Sequence, residues 1–161
     1  MAATKAKAIP DGFHGATPYL CIKDAAKALD FYKKAFGAQE LMRMGGPDGK
    51  IGHAEIKIGE AVIMIADEFP DMGFLSPQTI GGSPVGMMVY VEDVDGFVNK
   101  ATTAGAKILK PVADQFYGDR SGQLEDPFGH RWYIATHIED VPPEEMKKRA
   151  DEFMKQQMKK K

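Results

Sequence analysis

The sequence has little of several features that would narrow the class of protein. Cys21 is the only cysteine, so no intramolecular disulfide is available, and a reducing compartment is compatible. The longest apolar run, Ala61 to Ala66, is far too short to cross a membrane. The formal net charge of -2 gives no general attraction for nucleic acid. The N-terminus lacks the apolar segment of a signal peptide, so we expect a cytoplasmic protein without membrane or nucleic-acid partners.

The chain contains an internal repeat. Lys23 to Gln39 and Glu92 to Lys107 each predict a helix that begins after an acidic N-cap, Asp24 or Asp93, and stops at a Gly-Ala pair. A β-like run precedes each helix. Three strand candidates follow it, separated by turns rich in glycine, proline and aspartate. Each half therefore predicts a β-α-β-β-β module, and the fold class is α+β.

The repeat divides the chain into five segments. These are an N-terminal tail (1–14), a first module (15–69), a connecting loop (70–84), a second module (85–138) and a C-terminal helix (139–161). The connecting loop is long enough to be a lid or a binding loop. Apolar positions of the C-terminal helix predict docking on the body of the protein or on a second subunit: Met146, Ala150, Phe153 and Met154.

The stretch "EDPFGHRWYIATHIED", residues 125–140, places two histidines among carboxylates. It could be a metal site, an acid/base pair or a hairpin turn. Asp126-Pro127-Phe128-Gly129 suits a type I turn, so we interpret Asp126 as a turn residue. Strand alternation puts His130 on the packed side and His137 at the far end of the strand, so both are expected to be structural.

Two segments, "DFYKKAFGA" (30–38) and "DPFGHRW" (126–132), lie within these tandem modules. The combination resembles the vicinal oxygen chelate superfamily, which includes glyoxalase I, bleomycin-resistance proteins, extradiol dioxygenases and fosfomycin-resistance enzymes. The resemblance covers roughly Gly15 to Asp140. "GGPDGKIGHAEIKIGEAVIMIADEFP" and "GDRSGQLEDPFGHRWYIATHIED" are most similar to its PhnB-like branch. The resemblance implies a curled mixed sheet, or cup, with helices outside, and a homodimer whose cups are built from paired halves.

The resemblance also bears on metal binding. Metal-dependent members hold a divalent ion with four side chains, typically His and Glu, from the first and last strands of each half. Here these positions fall on Thr17, Met64, Gly86 and Tyr133. Methionine and glycine do not supply the ligands that such an ion prefers. We therefore expect no metal and no cofactor.

Strand alternation within the implied cup predicts an aromatic and sulfur-rich lining. The predicted ligand-binding residues are Tyr19, His53, Glu55, Met64, Met88, Tyr90, Arg120 and Tyr133, with Met42, Met44 and Phe116 as further candidates. Methionine adapts its shape, and aromatic rings stack on planar ligands. The alternative is that these side chains fill a solid core.

Three polar or reactive positions are candidates for chemistry. His53 and Glu55 lie two residues apart on one strand face and could form a general acid/base pair, or be a hydrogen-bonded pair without such a role. Arg120 could bind a carboxylate or phosphate, or pair with Asp119. For Cys21, a buried inert thiol is expected.

The sequence thus favours metal-free sequestration of a hydrophobic or planar small molecule. One alternative is a glyoxalase-like lyase or isomerase, or a dioxygenase, with a metal held in a non-standard way. Another is an interaction protein whose cup is filled. The sequence does not identify the ligand.

Overall fold

The computed structural model describes residues 6–159, so residues 1–5 of the predicted N-terminal tail and residues 160–161 of the predicted C-terminal helix lie outside the described part. The chain divides into two compact units between Ile80 and Gly81. Each unit contains one four-stranded mixed sheet with a helix packed against it. The α+β class and the repeated β-α-β-β-β order are confirmed.

The first unit follows the predicted order of elements. It contains β1 (Tyr19–Ile22), α1 (Ala25–Phe36), β2 (Gln39–Gly45), β3 (Ile51–Ile58) and β4 (Ala61–Asp67). The strands lie in the order β1-β4-β3-β2, and β1 runs parallel to β4. The Asp24 carboxylate accepts a hydrogen bond from the Lys27 amide at 3.3 Å. Gly37 ends the helix in the left-handed conformation, with φ 64°, as predicted.

The two faces of the first sheet differ in burial. Ala54, Ile56 and Ile65 are fully buried on the face that packs on α1, and Leu20 is buried with them. Residues of opposite parity, such as Tyr19, lie on the other face, which we call the open face. The alternation that places His53 and Glu55 on this open face is confirmed, because both remain partly exposed on either side of the buried Ala54.

The segment that connects the two sheets is partly helical, where the sequence predicted a loop. A 3₁₀ turn spans Pro70–Met72, and a short helix, α2, spans Pro77–Ile80. Phe69 and Phe74 close the 3₁₀ turn through two backbone hydrogen bonds, of 2.8 and 3.2 Å. The sequence did not indicate these short helical turns, because the segment has no apolar period and is shaped by contacts between residues several positions apart.

Glu68 makes the contact that fixes α2. Its carboxylate accepts hydrogen bonds from the Thr79 hydroxyl at 2.7 Å and from the Ser76 amide at 3.0 Å. These bonds favour the ionised form and lower the pKa of Glu68 to about 2. Glu68 therefore stays charged throughout the physiological range.

The second unit repeats the arrangement and adds a helix. It contains β5 (Gly86–Tyr90), α3 (Val94–Thr103), β6 (Lys107–Asp114), β7 (Asp119–Glu125), β8 (Arg131–His137) and α4 (Pro143–Met158). The strands lie in the order β5-β8-β7-β6, and β5 runs parallel to β8. Asp93 caps α3 as predicted, because its carboxylate accepts from the Gly96 amide at 3.0 Å.

The repeat extends to the way each unit joins its last strand to its first helix. The Asp67 carboxylate, at the end of β4, accepts from the first amide of α1, that of Ala25, at 3.1 Å. The Thr136 hydroxyl, in β8, accepts from the first amide of α3, that of Val94, at 3.0 Å. In each unit a strand side chain thus satisfies a helical N–H that has no partner within the helix.

The predicted turn at Asp126 is confirmed, and the carboxylate has a further use. Its Oδ1 accepts from the amides of Phe128 and His130, at 2.9 and 3.0 Å. Its Oδ2 accepts from the indole N–H of the fully buried Trp132 at 2.9 Å. The turn residue therefore ties the hairpin to the core. His130 is buried beside it, as expected for a structural histidine.

The C-terminal helix contacts the body of its own unit. Arg149 makes two 2.8 Å hydrogen bonds with Glu139, which precedes α4, and one of 3.0 Å with Glu145. The rings of Phe116 and Phe153 lie 5.0 Å apart. The predicted docking on the body is confirmed for this part of α4, whereas docking on a second subunit stays a prediction. Within residues 6–159, no helix has the length and apolar character needed to span a bilayer.

Candidate ligand-binding site

A cavity of about 430 Å³ lies within the first unit. The sheet contributes Tyr19, Gly52 and Ala66 to its lining, and the connecting segment contributes Phe69, Met72 and Phe74. The rings of Tyr19 and Phe74 lie 5.5 Å apart and are tilted by 51°. Small strand residues and large apolar residues thus line a largely apolar space that is open on one side, and apolar linings of this kind are typical of small-molecule sites.

A chain of three polar side chains begins at the cavity. The Tyr19 hydroxyl lies 3.0 Å from His53 Nδ1, and His53 Nε2 lies 3.2 Å from Glu55 Oε1. A carboxylate only accepts, so Nε2 carries a proton. In the neutral form of the ring, Nδ1 then accepts from the tyrosine hydroxyl. We call this group the Tyr19–His53–Glu55 chain. His53 and Glu55 are both mostly buried, with side chains 20% and 18% exposed.

The Tyr19–His53–Glu55 chain can orient a ligand by hydrogen bonding. It can also pass a proton, because each of its side chains contacts the next. The prediction that His53 and Glu55 lie together on the open face is confirmed. Their roles in binding and in acid/base chemistry stay predictions. Sequence analysis missed Phe69, Met72 and Phe74. The available signal was the presence of several large apolar residues in a segment otherwise rich in acidic residues, glycine and proline.

The second sheet carries the other predicted aromatic and sulfur-containing residues. Met88, Tyr90 and Tyr133 are 46%, 59% and 37% exposed. They therefore do not fill a solid core within the chain. The Tyr133 ring lies directly over Gly86, where a Cβ atom would collide with it. This position must be glycine as long as the tyrosine keeps that orientation.

A second polar chain lies at one end of this sheet. The Tyr90 hydroxyl donates to Asp119 Oδ2 at 2.7 Å. Asp119 Oδ1 lies 2.8 Å from His137 Nδ1, and Asp140 lies 2.9 Å from the other ring nitrogen. Hydrogen bonds to the two carboxylates raise the pKa of His137 above its usual value. The expected structural role of His137 agrees with this geometry. The β7–β8 register, which pairs Asp119 with His137, could have identified the contact.

Comparison with known proteins identifies the family. A family model described as the Glyoxalase/Bleomycin resistance protein/Dioxygenase superfamily matches residues 14–134. The chain belongs to this superfamily. The resemblance inferred from the sequence is thereby confirmed at the level of the superfamily, and the PhnB-like assignment stays a prediction.

Relatives of the chain cover most of its length. An uncharacterized protein of Mycobacterium tuberculosis is 41% identical over 133 residues, or 81% of this chain and 78% of that protein. The crystal structure of TioX from Micromonospora sp. ML1 is 26% identical with a TM-score of 0.61, and the match covers 80% and 100% of the two chains. A gene product of Arabidopsis thaliana is 26% identical with a TM-score of 0.63, covering 76% and 98%.

The metal positions of this superfamily do not fit a divalent ion here. The first unit offers Thr17 and Met64, and the second offers Gly86, which has no donor, and Tyr133. The Tyr133 ring also occupies the space in front of Gly86. Within the described residues, no three or more His, Cys, Asp or Glu side chains come together as a metal site. The donor set is therefore unsuited to zinc, manganese or iron.

Arg120 lies away from the predicted lining. Its guanidinium makes hydrogen bonds of 2.7 and 2.8 Å with Asp95 in the first turn of α3 and of 2.8 Å with Asp114 in β6. The alternative of an ion pair with Asp119 is therefore wrong. The physical reason is alternation, because neighbouring residues of one strand point to opposite faces. A ligand role for Arg120 stays a prediction that this geometry does not favour.

Cys21 is buried in β1. Burial, together with the negative charges of Glu68 and Asp67, raises the pKa of the thiol to about 11. The reactive thiolate is therefore scarce at neutral pH. This agrees with the expected inert thiol.

Proposed function

We propose that this superfamily member sequesters a hydrophobic or planar small molecule without a metal ion, in the manner of bleomycin-resistance proteins. The observation that carries the proposal is the aromatic-lined cavity of the first unit, which Tyr19, Phe69 and Phe74 help to enclose. A ligand there stacks on the rings and reaches the polar chain that begins at Tyr19.

The size and lining of the cavity support this proposal. Its volume of about 430 Å³ lies within the range of about 300–1,000 Å³ that is usual for small-molecule sites. Each well-placed aromatic contact adds about 0.5–1.5 kcal/mol beyond the burial of apolar area. Tyr19 and Phe74 are already tilted towards each other, so a flat ligand can contact both rings.

The polar chain supports a ligand that binds in one orientation. Apolar contact alone leaves a planar molecule free to turn over, whereas a hydrogen bond to Tyr19 fixes one edge. His53 holds the Tyr19 hydroxyl at 3.0 Å, and Glu55 holds His53 in turn. The hydroxyl is therefore positioned before any ligand arrives, which reduces the entropy lost on binding.

A thermal-shift screen with planar aromatic compounds tests the proposal. A compound at one hundred times its Kd adds about 2.7 kcal/mol to the free energy of unfolding. Phe74→Ala removes a cavity wall and should abolish the stabilisation. Phe153→Ala, which alters the partly exposed ring on α4, should preserve it. Stabilisation that persists in Phe74→Ala, or that disappears when divalent ions are chelated, would contradict the proposal.

We also propose that the protein is a homodimer in the cytoplasm. Large apolar side chains on the second sheet and α4 are exposed in the single chain and offer a surface for association: Met88, Tyr90, Met154 and Met158. Light scattering at micromolar concentration should give about twice the chain mass of 17.7 kDa. A monomer at that concentration would refute this part of the proposal.

A further inference from the structure

The Tyr19–His53–Glu55 chain uses its own hydrogen-bond donors internally. With His53 neutral, the tyrosine O–H donates to Nδ1, and the Nε2 proton is shared with the Glu55 carboxylate. A lone pair on the Tyr19 oxygen and the remaining lone pairs of Glu55 are left. Because the Tyr19 proton is already used, only acceptor positions remain on both groups, and the Tyr19–His53–Glu55 chain offers a ligand acceptors but no donor.

The Tyr19–His53–Glu55 chain also carries a negative charge on the Glu55 carboxylate that no basic side chain in the described part of the protein compensates. Within the described residues, His53 is the only hydrogen-bond partner of the Glu55 carboxylate, and the ring in its neutral form does not cancel the carboxylate charge. The nearest basic residues along these strands have other partners, since Lys57 pairs with Glu60 and Arg43 pairs with Glu40.

The segment that supplies the aromatic walls is acidic as well. It contributes Phe69 and Phe74 to the cavity and carries Glu68 and Asp71, and it begins directly after Asp67 at the end of β4. No lysine or arginine occurs anywhere between Lys57 and Lys100. The lining itself has no charged side chain. Lys23 acts on Glu68 and offsets part of this charge, but the acidic side chains outnumber it, so the balance of charge near the cavity is negative. In a partly desolvated space this charge has a stronger effect than in water.

We infer that the ligand is a planar aromatic cation that carries N–H donors, such as an arylamidine or arylguanidine, and that aromatic carboxylates and phosphates are disfavoured. This inference rests on the proposed function and specifies its ligand class. The flat ring lies against Tyr19 and the phenylalanines, where a cation is attracted by aromatic faces. Its N–H groups supply the donors that the Tyr19–His53–Glu55 chain lacks.

Three probes of one shape test the inference. The compounds 2-naphthamidine, 2-naphthamide and 2-naphthoate share the ring and differ only in the charge and donors of a planar substituent. Isothermal titration should show the amidine binding about tenfold or more tightly than the carboxylate, with the amide between them. Equal or tighter binding of the carboxylate would overturn the inference.

Glu55→Gln tests the source of the preference. The substitution keeps the shape and removes the charge, so the ratio between amidine and carboxylate affinities should fall to about threefold or less. Glu60→Gln is the matched control, because its side chain is fully exposed in the β3–β4 turn, and it should keep the wild-type ratio. A ratio unchanged by Glu55→Gln overturns the inference.

Tyr19→Phe provides a second variant in case Glu55→Gln fails to fold. It keeps the ring and removes the accepting oxygen, so the amidine should lose affinity while the carboxylate does not. Loss of affinity for both probes alike overturns the inference. The outcomes also separate the two proposals. If none of the three probes binds, the proposed function fails with the inference. If all three bind without preference, only the inference fails.

Discussion

Replacing Asp126 with asparagine tests how the hairpin turn is tied to the core. Oδ1 of Asp126 faces two backbone N–H groups, those of Phe128 and His130, and Oδ2 faces the indole N–H of Trp132. An asparagine amide nitrogen must replace one of these two oxygens. In either orientation it points a donor at a donor, so at least one buried N–H loses its acceptor.

The expected cost follows from that loss. A buried donor left without its acceptor costs about 1–3 kcal/mol. The favoured asparagine orientation leaves only the indole N–H without an acceptor, because the other orientation leaves two backbone amides unsatisfied. We expect Asp126→Asn to lower the free energy of unfolding by about 2 kcal/mol, a large part of a typical total of about 5–15 kcal/mol.

Urea denaturation followed by circular dichroism measures this cost. The midpoint should fall by about 1 M at an unchanged slope. Asp93→Asn is the control, since asparagine caps a helix as well as aspartate does, and its effect should stay within about 0.5 kcal/mol. In a Trp132→Phe background, which lacks the indole N–H, Asp126→Asn should cost about 1 kcal/mol less. An equal cost in both backgrounds would refute the reasoning.

Three further predictions concern the second unit. Thr136→Val removes the acceptor of the first α3 amide and should lower the free energy of unfolding by about 1–2 kcal/mol in urea denaturation. An unchanged free energy of unfolding would contradict this role of the threonine hydroxyl. The pKa of His137, measured by NMR titration, should lie above its usual value and fall in Asp119→Asn. Because the folded-state pKa is raised, the stabilisation by His137 is full below about pH 6.5 and is lost as pH rises through the folded-state pKa. A pKa unchanged by Asp119→Asn would argue against this contact. Gly86→His should destabilise by about 1–3 kcal/mol, because the Tyr133 ring must move, and a neutral effect by thermal denaturation would show that the ring is mobile.

Much of the fold could be predicted because its signals are local. The Asp24 and Asp93 caps lie within three residues of the amides that they bind, and Gly37 adopts the conformation that glycine tolerates. Period-two alternation placed His53 and Glu55 on one face without any knowledge of their neighbours. These features depend on residues that are close in the sequence, so one sequence suffices to find them.

The rest of the site depends on contacts that the sequence does not encode locally. The walls Phe69 and Phe74 come from a segment without apolar periodicity, which is shaped by the hydrogen bonds of Glu68. Arg120 donates to Asp95, which lies on α3, far from Arg120 in the sequence. Such pairings follow from the packing of the helix on the sheet, which strand alternation alone does not specify.

The central claim is that the cavity of the first unit binds a small molecule. The most direct measurement is an amide nitrogen–proton NMR titration of the full chain with 2-naphthamidine. The account predicts saturable shifts concentrated at the amides around the cavity, those of Gly52, Ala66, Phe69 and Phe74, with the same apparent affinity at each. Saturable shifts confined to the second unit, or none at millimolar probe, would contradict it.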